Sequence, residues 1–363
     1  MPGGVLPYQD SYIDIELLSY MKSFDLRIGT LECAIGTNLK PAKEKLRKNG
    51  GNDNICFARD EDFFRIKELG FNVMSIGNNH SFDLGEEGLR NTIRVLRENG
   101  IGFCGAGMNL DEASQPYVSY CSGLSVCIIG CCIKGLSPKS LIVATENSYG
   151  VYQPTIEELA TKIYTLKTLY DYVIVMPHWG EEHVRIPPFE NVKYARQMID
   201  AGADAIFGSH SHCLAPYTFY KSKPVFYGMG NFLYPDFCMM PPRPFYYPST
   251  KQEIDEMQRC INYPSSVKSK TLCIWGKDSR YGLAVEAVIG KGIHSSYRIV
   301  RIDKNNILHL LNYYSKVEDL YLRHIRMPLA SKITQWRLYG RLYKLVFRYE
   351  RRIRNVGDFR KNK

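Results

Sequence analysis

Residues 171–180 read DYVIVMPHWG. From Tyr172 to Pro177 the run is apolar with no polar alternation, and it is far too short to cross a membrane. That pattern fits a strand buried on both faces, the kind found in parallel sheets covered on each side. The polar residues that end the run, His178 followed by Glu182 and His183 in HWGEEH, then fall at the carboxyl end of the strand, where α/β proteins gather their ligand-binding loops.

The same punctuation recurs along the chain. FNVMSIG (71–77) runs into NNHSFD, and a helix is expected over EEGLRNTIRVLRENG (86–100), with Leu89, Ile93 and Leu96 on one face and Gly100 as its stop. IGFCGAG and LSVCIIGCC (124–132) read as strands, and 154–170 as a helix presenting Leu159, Ile163 and Leu166. NVKYARQMIDAG (191–202) is helical, ADAIFGSHSH (203–212) is the next strand and loop, and KPVFYGMGNF (223–232) repeats the pattern. YPDFCMMPPRPFYYPSTK (234–251) reads as a long irregular excursion, either a lid or a surface insertion. Residues 281–302 read as a hairpin. The expectation is an α/β fold with its site along one sheet edge.

Four loops at those strand ends carry chemistry: Glu32 in GTLECAI; Asn79, His80 and Asp83 in NNHSFD; His178, Glu182 and His183 in HWGEEH; His210 and His212 in GSHSH. A single histidine at a strand end also reads as a hydrogen-bonded structural residue, and Asp83 also reads as the N-cap of the following helix. Asp204 reads as fixing a turn before its strand. His210 and His212 share a side if the segment is extended, or fan around one point if it turns. A recurring set of carboxylate, amide and imidazole suits divalent ions of the Zn, Mn or Fe type, and the lack of a thiolate cluster argues against structural zinc.

Composition sets the remaining bounds. The chain has 363 residues, 45% hydrophobic, enough for a sizeable core in one large or two modest domains. Eleven cysteines with no CxxC pair sit mostly in apolar segments, which points to free thiols in a reducing, cytoplasmic setting. The net charge of +10 is concentrated: residues 335–363 hold ten Lys/Arg against Glu350 and Asp358, so that segment carries +8. In it WRLYGRLYKLVFRYERRIRN (336–355) places Arg337, Arg341, Lys344, Arg348 and Arg352 on one helical face. Tyr339, Leu342, Tyr343, Val346 and Ile353 fall on the other. Such a basic amphipathic helix suits an anionic membrane surface, at the inner face of the membrane, or a solvated face docked on the body. No basic stripe on the body suggests nucleic acid.

Taken in order, TLE, NNHSFDLGEEGLRNTIRVLRENGI, GAG, HWGEE, DAGADAIFGSHSH and YGMGNF resemble the capsule-synthesis CapA family, related to poly-γ-glutamate synthesis proteins. The resemblance implies a metallophosphoesterase-like two-sheet sandwich flanked by helices over residues 1–302, a helical connector over 303–334 and the basic tail over 335–363. It further implies two divalent metal ions (Mn, Fe, Zn or Mg): Glu32 bridging them, Asn79 as an amide ligand, His178 and His210 on one ion and His212 on the other. His80 would donate a proton to a leaving group, with Asp83 holding its imidazole, while Glu182 and Asn231 would orient ligands or touch substrate. The activity implied is hydrolysis of a phosphoester, amide or ester bond in an anionic envelope polymer. The other reading is a non-catalytic member of a membrane-bound synthesis or export complex. Family members open with a strand ending in Gly-Asp, whose Asp ligates a metal, and MPGGVLPYQD (1–10) resembles the segment directly after that Gly-Asp. The expectation is therefore a missing first strand and one weakened metal site, with Asp10 an unsuitable substitute.

Overall fold

The computed structural model describes residues 13–37, 39, 42, 56–134, 141–234, 277–303 and 307–311, with short strands at 237–239, 245–246 and 271–273. The expected basic helix of 335–363, most of the 303–334 connector and residues 1–12 lie outside the described residues.

Two sheets face each other. Ile28–Thr30, Val73–Ser75 and Gly102–Cys104 form a parallel three-stranded sheet. The second has six strands, ordered Tyr217–Tyr220, Lys223–Phe226, Ala205–Phe207, Tyr172–Pro177, Leu124–Cys131 and Tyr117–Cys121. Its four inner strands are parallel and its two edge strands antiparallel. The apolar Tyr172–Pro177 run alternates as a doubly buried strand must. Val173 and Val175 join the core beneath the helices, whereas Tyr172, Ile174 and Met176 join Val73 and Cys104 of the facing sheet.

Helices close both outer faces. Ile156–Lys167 starts at a capping box, in which the Thr155 hydroxyl accepts from the Glu158 N–H and the Glu158 carboxylate accepts from the Thr155 N–H. With Phe189–Asp200 it covers the larger sheet through Leu159, Ile163, Val192, Ala195 and Met198. On the smaller sheet Gly85–Glu98 lays Leu89, Ile93 and Leu96 over Met74 and Ile76. It ends at Asn99, followed by Gly100 at φ +68°, the left-handed position a glycine fills without steric penalty. The expected hairpin is present as Tyr281–Ile289 and Ile293–Ile302, joined by Leu308–Leu311 in a third, antiparallel sheet. The architecture is the α/β two-sheet sandwich flanked by helices that the sequence led us to expect.

The eight cysteines of residues 13–234 are free thiols, and seven of them are buried. The reading of 234–251 as irregular needs correction. Phe237–Met239 pairs antiparallel with Phe245–Tyr246 and with Thr271–Cys273.

Asp204 does more than fix a turn. Its Oδ2 accepts from the Val173 N–H (2.9 Å) and from Lys167 Nζ (2.8 Å), and its Oδ1 from Lys223 Nζ (2.9 Å). One carboxylate thus ties three neighbouring strands and a helix together below the site. Asp204→Ala should lower unfolding free energy by about 2 kcal/mol, the usual loss for a charged hydrogen-bonding group. Urea unfolding of the two proteins measures it, and a change below about 0.5 kcal/mol would contradict the role.

Candidate metal centre

Because the inner strands are parallel, their carboxyl ends share one edge. Glu32 follows Ile28–Thr30; Asn79 and His80 follow Val73–Ser75; His178 follows Tyr172–Pro177; His210 and His212 follow Ala205–Phe207; Asn231 lies beyond Lys223–Phe226. Two of these loops are locked side by side by main-chain bonds: Ser209 N–H to Pro177 O (3.0 Å) and Trp179 N–H to Ser209 O (3.3 Å). The backbones of the two sheets approach closely at Gly77, Gly105 and Gly130. A Cβ on Gly105, which has φ +96°, would come within 2.8 Å of the Gly77 backbone, so glycine is required there.

The structure brings Glu32, Asn79, His178, His210 and His212 into one buried cluster. Glu32 Oε1 lies 3.4 Å from His178 Nε2 and 3.4 Å from His212 Nε2, equidistant between two imidazoles. Asn79 Oδ1 faces His178 Nε2 at 2.7 Å. The His178 and His210 ring centroids are 4.6 Å apart, and those of His210 and His212 are 6.3 Å apart. His210 and His212 are not on an extended strand. Their φ values of 95° and 50° make the segment a turn that fans the rings, the second of the two geometries considered for GSHSH. His183 is also left-handed, at φ 60°. Three such non-glycine residues in one site, each costing about 1–3 kcal/mol, are backbone strain that side-chain placement imposes.

Supporting residues aim the rings. His212 Nδ1 donates to Asn231 Oδ1 (3.0 Å), and Asn231 Nδ2 donates to Ser279 O (2.7 Å), which leaves His212 Nε2 directed at Glu32. Tyr234 stacks on the His212 ring at 5.0 Å. His178 Nδ1 bonds Ser209 Oγ (2.9 Å). His183 sits at the margin, its N–H donating to Ser211 O (2.7 Å) and its ring 5.8 Å from His212. Sequence reasoning assigned no role to Ser209, Ser279 or Tyr234, and nothing in their local sequence signals one. Glu182 is exposed on its loop, outside the buried cluster.

The fit to a cation can be judged from the chemistry of these donors. Glu32 Oε1 and His210 Nδ1 are buried and accept or donate no hydrogen bond, a costly arrangement unless another partner meets them. Burial alone would raise the Glu32 carboxyl, but His212 and then His178 outweigh it and hold it well below the usual range. Burial pushes His210 well below the ordinary imidazole value, with His178 adding to it, and burial lowers His178 too. Glu32 is thus held toward its carboxylate form, and His178 and His210 toward their neutral forms, the protonation states that ligation requires. Glu32, His178 and His210 each offer an atom within 4.8 Å of the others. These residues fit a divalent metal centre of nitrogen and oxygen donors.

Beside it lies a second constellation. His80 Nδ1 donates to Asp83 Oδ2 at 2.6 Å, and the same oxygen accepts the Cys56 N–H at 2.7 Å. The helix begins at Gly85 with Leu84 as its N-cap and no side-chain cap bond, so Asp83 does not cap it. Burial works against the His80 imidazolium, but the Cys56 sulfur and the Asp83 carboxylate favour it more and raise its pKa well above the ordinary value. His80 thus holds a proton at neutral pH next to the cluster.

Residues 6–236 match the family model described as bacterial capsule synthesis protein PGA_cap. The capsule biosynthesis protein CapA of Bacillus anthracis is 29% identical over 231 residues, covering 62% of this chain and 54% of that protein. The PGA biosynthesis protein CapA of Bacillus subtilis (strain 168) is 33% identical over 171 residues, covering 47% and 44%. The chain spans about half the length of the curated relatives it matches. Among solved structures, a putative 5'-nucleotidase from Staphylococcus aureus aligns at TM-score 0.39 and 14% identity over 87% of this chain and 52% of that one.

Proposed function

The chain belongs to the bacterial capsule synthesis family PGA_cap, and from that premise we propose that it is a divalent-metal-dependent hydrolase. Its substrate would be a phosphoester, amide or ester bond in an anionic cell-envelope polymer of the capsule or poly-γ-glutamate kind. The observation that supports this most is the buried Glu32–Asn79–His178–His210–His212 cluster with the Glu32 Oε1 and His210 Nδ1 atoms unmatched inside it. Glu32, equidistant from His178 and His212, suits a shared ligand. When bound, divalent ions there supply Lewis acidity toward an anionic substrate and toward water.

The residues of the chain do the rest. Asn231 and Ser209 fix the imidazoles, so that no reorganisation is needed when charge develops. His80 holds a proton on a ring oriented by Asp83, the position of a general acid toward a departing oxygen or nitrogen. No described helix is long and apolar enough to cross a membrane. In this reading the basic face of Arg337, Arg341, Lys344, Arg348 and Arg352 would hold the protein at an anionic membrane surface on the cytoplasmic side.

Metal analysis of the purified 363-residue protein by mass spectrometry tests the proposal. Two divalent ions per chain are expected in the histidine cluster, or one where the weakened site stays empty, and a His210→Ala/His212→Ala variant that remains folded should lose them. A folded, metal-free protein that binds no added Mn²⁺ or Zn²⁺ would sink the hydrolase reading and favour a non-catalytic component of a polymer synthesis or export complex.

A further inference from the structure

Cys56 packs at the edge of the apolar core beneath the smaller sheet and, unlike the thiols of the larger sheet, also stands among polar ligand groups. Cys104, Cys127 and Cys131 line the strands and face hydrophobic neighbours. Cys56 instead shares a buried pocket with His80 and Asp83, and one ligand atom from each of the three lies within 4.8 Å of the others. Among the described residues no other cysteine is grouped in this way. We propose that Cys56, His80 and Asp83 form a separate, sulfur-containing site for a zinc-like cation, beside the histidine cluster.

The three positions are pre-organised by backbone. Cys56 O accepts the Ala34 N–H (3.2 Å), and the next two residues, Phe57–Ala58, pair parallel with Ala34–Ile35, two residues beyond Glu32. The Cys56 N–H and His80 Nδ1 both converge on Asp83 Oδ2. His80 is fixed in turn, because its N–H donates to Asn78 Oδ1 (3.0 Å) and Asn78 Nδ2 donates to Leu31 O (2.8 Å). A tetrahedral zinc at about 2.0–2.3 Å from its ligands keeps nitrogen and oxygen donors roughly 3.3 Å apart. The 2.6 Å His80–Asp83 bond therefore opens by less than an ångström to admit the ion.

Donor softness separates the two centres. The histidine cluster presents nitrogen and oxygen and suits Mn²⁺, Fe²⁺ or Zn²⁺, whereas a thiolate adds strong preference for Zn²⁺, Cd²⁺ and Co²⁺ over Mg²⁺ and Mn²⁺. Binding displaces the thiol proton and the His80 ring proton that Asp83 accepts. An ion held there removes the proton donor, so the site acts as a brake that excess zinc applies. That consequence rests on the hydrolase reading; the site itself does not.

Cobalt spectroscopy of the 363-residue protein tests it. Titration with Co²⁺ should produce the near-ultraviolet sulfur-to-cobalt absorption in the native protein and in Cys33→Ser. It should be lost in Cys56→Ser and Cys56→Ala, with folding checked by circular dichroism. His210→Ala/His212→Ala should keep it while losing the ions of the histidine cluster, so the two readings fail separately. In a hydrolysis assay with a nitrophenyl phosphoester and Mn²⁺, added Zn²⁺ should inhibit the native protein about 10²-fold, the low end of what a positioned proton donor contributes, and Cys56→Ser far less. No sulfur absorption in the native protein, or its survival in folded Cys56→Ser, overturns the site. Equal zinc inhibition of both proteins overturns the brake.

Discussion

Asp83→Asn is expected to lower turnover of the Mn²⁺-loaded protein by about 10²–10⁴-fold while leaving the ions of the histidine cluster in place, the range a positioned general acid contributes. The amide can occupy the place of the carboxylate and still accept from both His80 Nδ1 and the Cys56 N–H, so the geometry need not change. What it removes is the negative charge. Burial disfavours the His80 imidazolium, and the Cys56 sulfur together with the Asp83 carboxylate keeps it. Without the charge, burial gains, and His80 gives up its proton at lower pH. The loss should therefore appear as a pH profile whose alkaline limb moves toward acid, with partial recovery of turnover below pH 6.5. Asp83 is a positioning residue in this scheme, and a purely structural one would change stability without moving that limb. Activity within threefold of the native protein with an unmoved profile would refute the role of the dyad.

How much of this could be read from residues alone depends on how each contact is made. The parallel strands were legible because unbroken apolar runs such as Tyr172–Pro177 need cover on both faces, and His178, His210 and Glu32 were visible as the polar residues that end them. Convergence on one centre was legible only through the topology, since parallel strands send their carboxyl ends to the same edge. Asp83 was ambiguous for a chemical reason: an aspartate before a helix can cap it or serve a neighbour three residues back. The turn through Phe82 to Gly85, with Gly85 at φ +67°, decides the matter by moving the helix start past it. Cys56 was not legible at all. Its place beside His80 depends on a two-residue strand pair and on hydrogen bonds across 27 positions, which no local pattern encodes. The edge strands Tyr117–Cys121 and Tyr217–Tyr220 escaped notice too, because one face of each meets solvent, leaving Tyr120 exposed and Phe219 partly so.

Stripped of metal by chelation, the protein should be most stable near pH 6.5 and lose stability in both directions. The reason is that buried imidazoles of opposite shift lie within one site. His178 and His210 are held below the ordinary value, chiefly by burial. The unfolded chain therefore binds more protons than the native one as pH falls from about 6.5 toward their native values, and stability drops in that window. His80 is shifted the other way. Its contribution is fully present below about pH 6.5 and is lost as pH rises toward its native value, because there the native state holds the proton that the unfolded chain has released. Each group contributes at most about 1.4 kcal/mol per pH unit, so the acid limb, with two histidines, can be twice as steep as the alkaline one. Glu32, held well below the carboxylate range, adds its own loss only below about pH 4.3, where the unfolded carboxyl takes up a proton. Against a total stability of about 5–15 kcal/mol, two pH units of acidification remove a large share. Urea unfolding at pH 5, 6.5 and 8 with chelator present measures the curve. His210→Gln should flatten the acid limb and His80→Gln the alkaline limb. A monotonic dependence, or limbs that ignore these substitutions, would mean that the three rings do not hold the protonation states on which ligation and proton donation both depend.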